Sequence, residues 1–133
     1  MKRSLAAILL IMIAGCGGKS TTELITQMRS KDSAERIHAV KALSERRNDV
    51  AMVVPALTEA LKDPDAFVRR DAASALGKLG ADAREAIPAL IAAQSDKNAS
   101  VRSEVAKSLR LIDPNQPVQK PQASTARSGT QPR

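Results

Sequence analysis

The side chains able to do chemistry are few and far apart. Cys16 is the only thiol and His38 the only imidazole among 133 residues. A zinc site of the usual type takes several Cys or His ligands and a disulfide takes two thiols, so both are excluded. A general base needs a nucleophile or substrate pocket within reach. His38 instead shares its repeat position with Asp71 and Glu104, which is the pattern of a solvent-exposed site. Glu59, Asp63 and Asp65 cluster at a helix end, where acidic side chains complement the dipole. Gly17-Gly18-Lys19-Ser20 contains the G-K-S of a phosphate loop, but that loop needs a glycine five residues before Gly18, and position 13 is Ile. These residues predict no enzyme, no cofactor, no metal and no small-molecule substrate.

Arg36, Arg69 and Arg102 are the most regular polar positions. They stand 33 residues apart, each four after Asp32, Asp65 or Asn98. A row of guanidinium groups can bind an anion. The same spacing suits i,i+4 pairs or bonds to a turn between helices, and the structural reading is preferred.

Phe67 is the only aromatic residue, which excludes base-stacking platforms and aromatic cages. The formal charge of +7 lies in the terminal segments, because residues 21–113 hold 15 Lys and Arg against 14 Asp and Glu. A basic groove tracking a phosphate backbone is therefore not expected, and neither is a nucleic-acid partner.

The elements that position these residues repeat. Segments beginning at Leu24, Leu57 and Leu90 align without gaps at an offset of 33, with Leu43, Leu76 and Leu109 in matching places. Within a unit the apolar period is helical: Val68, Ala72, Ala75, Leu76 and Leu79 form one face, and Val101, Val105, Leu109 and Ile112 repeat it. A second face comprises Val50, Val53, Val54, Leu57 and Leu61, then Ile87, Leu90 and Ile91. Each unit is thus a helical hairpin, A then B. The A helices are placed near 21–29, 49–62 and 83–95, and the B helices near 33–46, 64–79 and 97–112. Asp63-Pro64 reads as a helix start and Gly80 as a stop. Pro55 and Pro88, at one phase, predict a helix start or bend.

The phrase VPALTEALKDPDAFVRRDAASALGKLG resembles the HEAT repeat in its short bacterial form, related to the bilin-lyase-type repeats. The resemblance rests on Pro55, the Asp63-Pro64-Asp65 turn, Val68-Arg69 and the run from Ala72 to Gly80, and it covers about 21–113. It implies an all-α fold, an α-solenoid of three HEAT-like hairpins and about six helices. It also implies that the B helices line the concave, binding side. The first unit departs most, with Glu35 where Val belongs, as a terminal unit does.

Residues 1–16, MKRSLAAILLIMIAGC, place two cations before a ten-residue apolar run closed by small residues. This is the layout of a secretory signal and is too short for a permanent membrane span. Its end, Ile13-Ala14-Gly15-Cys16, resembles the lipobox of bacterial lipoproteins. That resemblance implies a signal peptide at 1–15, lipidation of Cys16 with palmitate-type chains, and a short tether at 16–20. It implies a cell-envelope location facing the periplasm or exterior, with the membrane bound through the lipid anchor. Gly17, rather than Asp, favours the outer over the inner membrane. Residues 114–133 hold four Pro and no acid, and are expected to be a disordered basic tail.

On the B helices a solvent-facing stripe is expected at Arg70, Ser74 and Gly77, with Ile37, Lys41 and Ser44 before it and Ser103, Lys107 and Arg110 after it. It carries four cations and no anion, so an acidic protein partner is expected there. The function that follows is a membrane-anchored module for protein interaction or scaffolding. The alternatives are a bilin-lyase-related enzyme or chaperone-like factor, and a cell-wall-binding protein.

Overall fold

The computed structural model describes residues 18–117. Six α-helices follow in order: α1 (Thr21–Gln27), α2 (Ser33–Leu43), α3 (Val50–Ala60), α4 (Ala66–Leu79), α5 (Ile87–Ala93) and α6 (Ala99–Ile112). They form three hairpins stacked in two layers. α1, α3 and α5 make one layer, and α2, α4 and α6 make the other, with α4 packed against both α2 and α6. The chain is an all-α solenoid. The signal, Cys16 and most of the tail lie outside the described residues, and no helix among the described residues is long and apolar enough to cross a membrane.

The helices begin where the caps dictate. Asp32, Asp65 and Asn98 are in extended backbone, and each side chain accepts a backbone N–H from the following turn. These are N-caps. The start of α4 is therefore Asp65, two residues after the expected Asp63. Ser20 and Glu23 close α1 with a reciprocal capping box, and the bonds from Ser20 hold the Glu23 carboxyl below its ordinary range. Gly80 ends α4 at φ 60°, a conformation that suits glycine.

The two prolines act differently. Pro55 sits inside α3, whereas Pro88 stands in the first turn of α5. The expected helix over 83–95 begins only at Ile87, after a 3-10 stretch over Gly80–Ala86. Pro88 has no N–H to give the carbonyl four residues back, so the α pattern starts around it.

The predicted B-helix faces are buried throughout: Val68, Ala72, Ala75, Leu76 and Leu79 on α4, and Val101, Val105, Leu109 and Ile112 on α6. On the A layer Val53, Val54, Leu57, Leu61 and Leu90 join them, but Ile91 is 42% exposed. Ile91 faces the side where no unit follows among the described residues. Close packing of α4 on α6 rests on Gly77. An added Cβ there would stand 2.8 Å from Ser108 Oγ, so the helices approach only because it is glycine. The Ser108 hydroxyl reaches the Ala73 carbonyl at 2.7 Å, which satisfies a buried polar group across the contact.

Candidate functional site

Arg36 and Arg69 bond between units, and all three arginines bond the turn of their own unit. Arg36 donates through Nε and NH2 to both oxygens of Asp63, at 2.8 and 2.9 Å. Arg69 does the same to Asp96, at 2.8 and 3.0 Å. The third nitrogen, NH1, donates to two carbonyls of the unit's own turn: Ser30 and Lys31 for Arg36, Asp63 and Pro64 for Arg69. Each acceptor aspartate also takes an N–H of its own turn, from Asp65 or Asn98. The expected bonding to the inter-helix turn is thus found, both within a unit and as a rung spanning 27 residues to the next, while Asp32, Asp65 and Asn98 four residues before are helix caps and not i,i+4 partners.

The rungs are well sheltered. Side-chain exposures are 12% and 11% for Arg36 and Asp63, and 7% and 10% for Arg69 and Asp96. Bonding to the carboxylates raises both arginines above their ordinary value, against a smaller opposing effect of burial. For Asp96, burial pushes the carboxyl up, but the Arg69 bond and the Asn98 N–H outweigh it and hold it below its usual range.

The second feature is the outer face of the B layer. Phe67 is 59% exposed near the start of α4. The Arg70 guanidinium lies 5.3 Å from the centre of its ring, within cation–π range. Ser74 is half-buried on the same face, and Lys41, Ser103, Lys107 and Arg110 are exposed beside it. Two members of the expected stripe are not on the surface: Gly77 is buried beneath Ser108, and Ser44 is buried between α2 and α4. The helix phase that faces solvent is rotated toward Phe67 and Lys78.

The face is also less purely cationic than expected. Asp71 lies between Lys41, at 3.6 Å, and Arg70, at 2.8 Å, with only 10% of its side chain exposed. Glu104 is 3.6 Å from Lys107, and Glu45 is 3.9 Å from Lys78. Asp71 and Glu104, taken from sequence as plain surface positions, are partners of the stripe, while His38 is exposed as expected. A small polar cleft lies beside Asp71, lined by Lys41, Ser44, Ser74 and Lys78. Among the described residues no group of His, Cys, Asp and Glu is arranged to hold a metal.

Two-layer stacking, a 33-residue period and arginine–aspartate rungs define a class of helical-repeat protein. The HEAT-repeat family model matches residues 21–110, and the chain belongs to that family. A chain of the complex of CpcE and CpcF of phycocyanin lyase from Nostoc sp. PCC7120 is similar at 31% identity and a TM-score of 0.65, covering 75% of this chain. An engineered protein matches at 20% identity and a TM-score of 0.59, covering 71% of this chain, and shows the fold alone. The chain spans 40% of the length of the lyase chain and 46% of the engineered one. No curated protein matches it significantly. The expectation of a non-enzyme is overturned by the lyase similarity, because that neighbour is a component of an enzyme.

Proposed function

We propose that the chain is a protein-docking component of an enzyme assembly related to the bilin lyases, held at the cell envelope by lipid on Cys16. The observation that carries the docking role is the exposed Phe67 with the Arg70 guanidinium over its ring on the B layer. Aromatic and arginine side chains are the residues most enriched at the energetic centres of protein interfaces. On the same layer Lys41, Ser103, Lys107 and Arg110 are exposed and Ser74 is half-buried. With Lys78, the face holds five cations against the carboxylates of Glu45, Asp71 and Glu104, so the partner offers an apolar contact rimmed by acidic groups. The similarity to a chain of an enzyme made of two associated proteins supports placing it in such an assembly. The lipobox-like ending at Cys16 supports the tether, since two or more acyl chains anchor stably where one does not.

Affinity purification from crosslinked envelopes tests the docking role. The double variant Phe67→Ala, Arg70→Glu is expected to lose the partner that the wild type captures, with its circular dichroism unchanged. Capture retained by that variant would move the interface elsewhere. For the tether, labelled palmitate is expected to enter the wild type and not Cys16→Ala, and the variant should leave the membrane fraction. A wild type found unlabelled and soluble would remove the anchor from the account.

A further inference from the structure

The last rung among the described residues is unfilled. Arg102 repeats the anchoring half of Arg36 and Arg69, with NH1 donating to the carbonyls of Asp96 and Lys97 at 2.7 and 3.2 Å. Its Nε and NH2 meet no carboxylate among the described residues. Residues 114–133 contain no Asp or Glu, so no side chain of the tail can supply one. The fork is half-buried and held by two bonds to backbone. It is set for a bidentate acceptor before one arrives, which removes part of the ordering cost of binding.

The surface around it is the one that receives a following unit elsewhere in the array. Ala106 and Arg110 hold the places of Ala73 and Gly77, the α4 residues against which Ser108 packs. Ile91 and Gln94 hold the places of Ile25 and Met28, which line a cleft with Ala56, Glu59 and Ala60 of the next unit. Ile91 is exposed, and Gln94 Nε2 is buried without an acceptor among the described residues. An open fork, an exposed apolar residue and an unsatisfied amide thus share one edge.

We propose that this edge docks a separate helical-repeat protein, whose first turn supplies the missing aspartate. The two filled rungs define the ligand: an aspartate that accepts the arginine fork while also taking the N–H two residues on, just before a helix cap. A second copy of this chain does not fit. Head to tail, it would present Ser30 where Asp63 and Asp96 stand. Edge to edge, a second copy would bring a second Arg102 and Arg110 to the interface, and added like charges disfavour the pairing. The cationic edge selects an acidic one.

The test places the photo-crosslinking residue p-benzoylphenylalanine at Ile91 of the full chain in its own cells, and the adduct is mapped by mass spectrometry. The expected adduct is a second protein, linked through a helical hairpin with an aspartate in its turn. Arg102→Ala should lower its yield at least tenfold while leaving the helical signal intact. The exchange Arg102→Asp, combined with arginine in place of the partner's aspartate, should restore it. The Phe67→Ala, Arg70→Glu variant should still form it, which separates this edge from the B-layer face. No adduct, an adduct of two copies of this chain, or a yield indifferent to Arg102 would overturn the proposal.

Discussion

Arg69→Met is expected to destabilise the domain by about 3–5 kcal/mol, the usual result of removing one partner of a buried ion pair. The change strands Asp96, whose side chain is 10% exposed, and releases the carbonyls of Asp63 and Pro64. Replacing both partners, Arg69→Met with Asp96→Leu, should recover part of the loss, because an apolar pair leaves no buried charge unmatched. Urea unfolding at neutral pH measures both. The pH dependence has a definite sign. Asp96 titrates below its unfolded value in the native chain. Its contribution is therefore complete above the unfolded carboxyl value of about 3.9, and it is lost as pH falls through the lower native value. Without Arg69 the depression is lost, so the stability gap between wild type and variant should narrow as pH falls below the unfolded carboxyl value. A variant within about 0.5 kcal/mol of wild type would mean that the rung registers the units without stabilising them.

Leu76→Ala should cost about 2–5 kcal/mol. Leu76 is fully buried on the middle B helix, which packs against α2, α3 and α6. The unit has neighbours on both sides, so the cavity cannot be closed by one hairpin sliding inward. In a repeat array each unit is stable through its neighbours, and domains of this size have only about 5–15 kcal/mol in total. Thermal melts followed by circular dichroism should show a lower midpoint or a loss of the cooperative transition. An unchanged curve would contradict the placement of Leu76.

Much of the fold was legible because a short-range period encodes it. The 33-residue offset, the 3.6-residue apolar face and the caps are local signals, and every residue they assign to the α4 and α6 core faces is buried, although Val40 on α2 and Ala73 on α4 escape them. The rungs were half legible. The arginines stood out by their spacing, but their acceptors lie 27 residues on, and Asp32 and Asp65 at four residues made a simpler pairing. The signal that distinguishes them is the phase of Asp63 and Asp96, which repeats with the arginines and breaks at Ser30, the matching place in the first unit. Gly77 was misplaced because a helix wheel sees only one helix, whereas its burial depends on how closely α6 approaches. Ile91 was misplaced for the opposite reason: its phase is a core phase, but nothing described packs on that side. Phe67 had a signal that was not used, since the only aromatic residue lies off the core face of α4.

With the captured partner in hand, its dissociation constant for wild type and Phe67→Ala tests the docking claim most directly. Met52→Ala serves as the control, because Met52 is also an exposed apolar residue but lies on α3 in the other layer. A central anchor is worth about 2 kcal/mol or more, roughly 30-fold in affinity. Phe67→Ala is expected to weaken binding by at least that factor and Met52→Ala to leave it unchanged. Equal affinities for Phe67→Ala and wild type, or a larger loss at Met52, would contradict docking through the B layer.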